Sequence, residues 1–171
     1  MLRVAIDTNV LAYAEGAGDK RRCLRAVEVL EALPEQAVLL PVQVLGELFR
    51  VLVGKLRQAP RLAKAHVLRW TDVYAVRESS WQALQAALDL SADHGLTIWD
   101  ALILSVAAEQ RCRLLLSEDL QDGFSWRGTT VVNPFAPDLP SLLVDVIASS
   151  GGRPMPTEAQ RRARRLPDSH R

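Results

Sequence analysis

Cysteine and histidine are scarce in this chain of 171 residues, which holds two of the first, Cys23 and Cys112, and three of the second, His66, His94 and His170. None of them has a partner at metal-ligand spacing, which speaks against a zinc site, a disulfide framework and a histidine-centred site. Long apolar runs are missing too. Asp7, Pro41, Glu47 and Asp145 interrupt the best candidates, so nothing approaches the roughly 20 apolar residues of a membrane helix. The opening MLRVAI meets Asp7 at once, too soon for the apolar core of a signal peptide. A cytoplasmic protein with no membrane segment is expected. Net charge is nearly absent at +1. The arginines nevertheless crowd the C-terminus: Arg153, Arg161, Arg162, Arg164, Arg165 and Arg171 face only Glu158 and Asp168 there, and the remaining body carries more acid than base. Generic attraction to nucleic acid would need a basic body, so global charge announces no partner.

What is present is enough apolar residue, 49% against 24% charged, to bury one core. The expected organisation is a single domain over 1–149 followed by an arginine-rich flexible tail, 150–171, whose low apolar content cannot offset the entropy of ordering it. Within the domain, Val4–Ile6, the stretch 37–40, Val73–Val76, Leu114–Leu116 and the stretch 130–132 read as strands. Apolar periodicity predicts helices over 19–33, from Pro41 to about Arg57, over 60–70, from Ser79 or Ser80 to Gly95, from Thr97 to about Arg111, and over 141–148. Pro41 suits the first turn of its helix, and Thr97 with Asp100 has the spacing of a capping box. Strands alternating with helices imply right-handed crossovers and an α/β fold with a mostly parallel sheet of about five strands, covered on both faces.

In such a sheet ligands bind beyond the C-terminal strand ends, and four carboxylates stand there or nearby. Asp7 closes the first strand, Glu47 lies in the helix after the second, Asp100 opens the helix before the fourth, and Asp119 follows the fourth. Each also has a plainer role. Asp7 can serve a turn, Glu47 a surface pair with Arg50, Asp100 a helix cap, and Asp119 a polar loop with Glu118 and Asp122. Asp100, however, lies near the end of a helix that is apolar nearly all round and therefore buried. If the four acids converge, they repel one another and raise each other's pKa unless a cation holds them. Oxygen-only donors point to Mg²⁺ or Mn²⁺, and an ion of that kind suits phosphodiester hydrolysis.

The segments VAIDTNVL at 4–11, VLGEL at 44–48, TIWDALI at 97–103 and LLLSEDLQDG at 114–123 resemble the acidic motifs of the PIN-domain family, in order, over about residues 1–135. The resemblance implies a three-layer α/β/α sandwich and a Mg²⁺- or Mn²⁺-dependent endoribonuclease of the VapC type, the toxin of a toxin–antitoxin pair. It implies Asp7, Glu47, Asp100 and Asp119 as catalytic residues. The metal would be held chiefly by Asp7, Asp100 and Asp119, with Glu47 holding a second ion or steering water. Thr8, Asn9 and Ser117 would be supporting groups, and Glu118 and Asp122 stand as alternates to Asp119. The expected partners are RNA, cut to a 5′-phosphate and a 3′-hydroxyl, a small antitoxin protein and a second copy of the chain. For the arginine-rich segment two readings stand side by side, tracking of RNA phosphates and a solubilising terminus without function. A catalytically silent PIN fold serving protein interaction is the alternative from another class. Two further enzymes fit poorly. A haloacid-dehalogenase-type phosphatase needs a second Asp where Asn9 stands, and a receiver domain needs a late Lys, whereas no Lys follows Lys64.

Overall fold

The computed structural model describes residues 2–137 and 140–149, and the expected arginine-rich tail lies outside the described residues. Strands β1 (Val4–Ile6), β2 (Val38–Pro41) and β4 (Leu114–Leu116) are buried at every position, as unbroken apolar runs require in a sheet covered on both faces. With β3 (Ala75–Arg77) and β6 (Thr129–Val132) they form the order β3-β2-β1-β4-β6, every neighbour parallel. A sixth strand, β5 (Ser125–Trp126), pairs antiparallel with β6. It has two residues, too few to leave a sequence pattern. Its link to β6 turns through Arg127 and Gly128, at φ 44° and 86°, the pair of positive values that matches a hairpin's twist.

Helices α1 (Thr8–Ala14) and α2 (Lys20–Ala32) join β1 to β2, and α3 (Val42–Gly54) and α4 (Pro60–Val73) join β2 to β3. Helices α5 (Trp81–His94) and α6 (Ile98–Glu109) lead back to β4, and α7 (Ser141–Ser149) follows the sheet. The first two crossovers step toward one edge and the third steps back across β1. Right-handed connections therefore put α1 to α4 on one face and α5 with α6 on the other. The packing agrees: α1 meets α2 and α3, α3 meets α4, and α6 lies along α5 while touching β2, β4 and β6. This is the expected three-layer sandwich. No helix among the described residues is long and apolar enough to cross a membrane.

Three local readings differ. The sequence marks only a turn at 7–9, whereas Thr8–Ala14 form helix α1, seven residues being too few to establish a period. Val73 belongs to α4 rather than to β3: the Trp70 and Tyr74 rings stack at 5.9 Å, and this packing outweighs the β preference of a branched side chain. Pro41 ends β2 and precedes α3 with extended backbone, ψ 133°, instead of lying inside the first turn. Beyond these, Ala101 to Ala107 of α6 are all buried, as the apolar sequence predicts. The connections diverge at β1, whose successors run to one side while β4 lies on the other. The C-terminal ends of β1 and β4 thus flank the switch point at which open sheets bind ligands.

Candidate active site

Asp7 stands on that switch point. Its backbone N–H donates to the Leu116 carbonyl at 3.0 Å, extending the β1–β4 ladder by one bond. Its carboxylate caps α1, accepting the Thr8 N–H at 2.6 Å on Oδ1. On Oδ2 it accepts the Ser117 hydroxyl at 2.6 Å and the Asn9 amide at 2.9 Å. The residue is only 3% exposed. Burial, partly offset by the Ser117 and Thr8 bonds and then reinforced by the charges of Asp100 and Asp119, pushes its carboxyl up to about 7. A cation beside such a buried carboxylate would favour its ionised form.

Asp119 and Glu47 are tied to the Asp7–Asn9 segment by short polar links, and Asp100 lies near enough for its charge to act on Asp7. Asn9 Nδ2 bridges Asp7 Oδ2 and Asp119 Oδ2, the second bond being 3.1 Å, so those oxygens are no farther apart than the two bonds laid end to end. Ser117 Oγ, besides donating to Asp7, accepts the N–H groups of Asp119 and Leu120 at 3.2 and 3.3 Å, which shapes the loop after β4. Thr8 Oγ1 donates to Glu47 Oε2 at 2.9 Å. Gln43, one turn earlier on α3, donates to Glu47 Oε1 at 3.0 Å and to the Trp99 carbonyl at 3.3 Å. Asp100 takes the Thr97 hydroxyl at 2.6 Å, while its own N–H donates to that oxygen at 3.2 Å. This is a capping box shortened by one methylene, in which Asp grips the cap's hydroxyl where Glu would grip its backbone. Burial first, then the charges of Asp119 and Glu47, raise the Asp100 carboxyl despite the Thr97 bond.

The structure thus brings Asp7, Glu47, Asp100 and Asp119 to one site, with Thr8, Asn9 and Ser117 between them. The site is graded in depth: Asp7 lies at its floor, Glu47 and Asp100 are half-buried, and Asp119 is exposed at its mouth. The two alternates point elsewhere. Glu118 accepts from the Tyr13 hydroxyl at 2.5 Å and from Arg22 Nε at 2.8 Å. Burial alone would raise its carboxyl, but these bonds outweigh it and hold it below the usual range. Asp122 accepts the Asn133 N–H at 2.8 Å. Sequence reading missed Gln43, whose one signal is its i, i+4 spacing to Glu47, and it missed Tyr13 and Arg22, which carry none.

Among the described residues no three His, Cys, Asp or Glu side chains close into a preformed metal cage. The donors that do face one another are all carboxylate oxygens on separate elements. An open set of this kind fits Mg²⁺ or Mn²⁺, hard ions that keep several waters and take few protein ligands.

The PIN domain family model matches residues 4–124. Among solved structures the fold resembles VapC20 of Mycobacterium tuberculosis, a sarcin–ricin loop cleaving toxin. That match has 23% identity and a TM-score of 0.57, and covers 68% of this chain and 91% of that one. A toxin–antitoxin complex from Klebsiella pneumoniae matches at 24% identity and TM-score 0.56, over 77% and 97% of the two chains. FitAcB from Neisseria gonorrhoeae matches at 16% identity and TM-score 0.60, over 78% and 99%. No curated protein matches. The family match begins with the first residue of β1, runs past β4 and takes in all four acids at the switch point, so this chain belongs to the PIN domain family.

Proposed function

We propose that the chain is a metal-dependent endoribonuclease, the toxin of a toxin–antitoxin pair. The observation that carries the proposal is Asp7, a buried carboxylate pushed up to about 7 while three donors hold it and Asp100 and Asp119 face it. A divalent ion would offset the repulsion among these neighbouring acids. Asp7, Asp100 and Asp119 would be the ligands. Glu47, fixed by Thr8 and Gln43, would orient a water or help hold a second ion. Bound there, Mg²⁺ or Mn²⁺ would polarise the phosphodiester and acidify a water. Thr8 would keep Glu47 in register, and Asn9 and Ser117 would do the same for Asp7 and the loop that carries Asp119.

RNA as substrate and a small protein as antitoxin are supported by family membership and by the toxins and toxin–antitoxin complexes whose fold the chain shares. An acidic pocket suits an inhibitor that brings a basic side chain in place of the ion. A homodimer is proposed on the family resemblance alone. The test is RNA cleavage in parallel with Mn²⁺, with EDTA and with Asp7→Asn. Cleavage is expected with Mn²⁺ only, and only in the native chain. Equal cutting in chelator and by the variant would refute the metal mechanism. Metal binding without any cleavage would favour the silent interaction module.

A further inference from the structure

Asp119 is the exposed member of the acidic set, and Asn9 is one contact that points it inward. The loop carrying it is gripped from two sides. From within, Ser117 Oγ takes the Asp119 and Leu120 N–H groups, and Asn9 Oδ1 accepts the Glu118 N–H at 3.3 Å. From outside, the Glu118 carboxylate is held by the Tyr13 hydroxyl at 2.5 Å and by Arg22, whose Nη2 lies 2.7 Å from Oε1. Asn9 and Tyr13 are four residues apart on α1 and so share a face. One helix therefore holds both the backbone and the side chain of Glu118.

The outer grip is closely fitted. The Tyr13 ring meets Phe135 edge-on at 5.1 Å. A Cβ at Gly18 would stand 2.5 Å from Tyr13 Cδ1, so only glycine there leaves the ring in place. Arg22 is itself anchored to Asp19 at 2.7 Å. Yet the Arg22 side chain is 45% exposed, and ion pairs so open to solvent contribute little to stability. An ion pair that stabilises the fold so little has its main effect on direction. Its charge matters as well, because Glu118 lies between two residues of the site and Arg22 turns its carboxylate away from the other acids.

We infer that Glu118, pinned by Tyr13 and Arg22, is a positioning residue that fixes the loop 117–120 so that Asp119 faces Asp7 across Asn9. For the metal this rests on the reading of Asp7, Asp100 and Asp119 as ligands. The positioning itself does not.

The test uses the full chain with Glu118→Ala, Glu118→Gln and Tyr13→Phe, and two readouts: Mn²⁺ affinity from the electron paramagnetic resonance of free Mn²⁺, and the Asn9 side-chain amide resonances of the metal-free protein. Circular dichroism checks the fold. Glu118→Ala is expected to weaken Mn²⁺ binding by about tenfold or more, the usual effect of losing a group that orients a ligand, and to shift the Asn9 amide protons. Tyr13→Phe keeps the ring contacts, so a smaller change in the same direction is expected. Glu118→Gln should recover part of the loss, since its oxygen can accept from Arg22 while its amide nitrogen donates to the Tyr13 hydroxyl oxygen. Native affinity and native Asn9 resonances in folded Glu118→Ala and Tyr13→Phe would overturn the inference. If Glu118→Ala does not fold, Tyr13→Phe, which loses one hydroxyl, decides alone. A native chain that binds no Mn²⁺ refutes the metal reading, and the Asn9 resonances then decide positioning by themselves.

Discussion

Asp7 is the acid of the site whose protonation burial affects most. Burial chiefly, with Asp100 and Asp119 adding to it, lifts its carboxyl from 3.8 to about 7. An acid whose pKa rises on folding binds its proton more tightly in the folded chain. Its contribution to stability is therefore whole below 3.8 and is lost as pH climbs through about 7. The metal-free chain should melt at a lower temperature at about pH 8 than at about pH 5, and Asp7→Asn should flatten that slope. Mg²⁺ should raise Tm more at the higher pH, where protons no longer compete with it. Scanning calorimetry reads all three, and an unchanged slope in Asp7→Asn would contradict the assignment. Ser117→Ala removes one 2.6 Å bond to the same oxygen and should weaken metal binding about tenfold or more, as titration calorimetry would record. At this scale the four acids were legible because each stands at a strand end or near a helix start, where a polar residue needs a reason. Gln43, Tyr13 and Arg22 were not, because their roles depend on distances across the fold. Nor could the sequence rank Asp119 against Glu118: adjacent residues in a loop point in directions that only their partners decide.

Helix α6 was the most legible element, since an apolar run from Ala101 to Ala107 can only be buried. Its N-terminus links element to site. Thr97 caps the helix and also holds the Asp100 carboxylate, so one substitution should affect both. Thr97→Ala is expected to cost about 1 kcal/mol of stability by denaturant titration, and to lower the cleavage rate more than the unfolded fraction explains. Thr97→Ser, which keeps the hydroxyl, should restore both. A stability loss with full cleavage would mean that Asp100 needs no orienting. The elements that sequence failed to reveal are the short ones. Helix α1, with seven residues, and β5, with two, are too brief for a period, and their neighbours decide them: the Asp7 cap for the first, and the positive-φ turn at Arg127 and Gly128 for the second.

Over the whole molecule, topology makes one site of residues scattered from 7 to 119. The first crossovers leave β1 on one side and β4 lies on the other, so the loops after these strands open onto a shared crevice. That architecture was legible from alternating strands and helices. Which RNA the proposed nuclease would take was not, because sequence-specific reading depends on loop shape. On the proposed function the same electrostatics would couple substrate to metal, since carboxylates gathered at the crevice would repel phosphates until cations offset them. Mg²⁺ should therefore tighten the binding of a cleavage-resistant RNA, and RNA should tighten Mg²⁺ by the same factor. RNA affinity independent of Mg²⁺ would place the RNA away from the acids. The most direct measurement of the central claim is anomalous diffraction from a crystal of the full chain soaked in Mn²⁺ at a pH above the Asp7 pKa. The account predicts a manganese peak in contact with Asp7, Asp100 and Asp119. No peak there at saturating Mn²⁺, or one bound only by residues elsewhere on the surface, would contradict it.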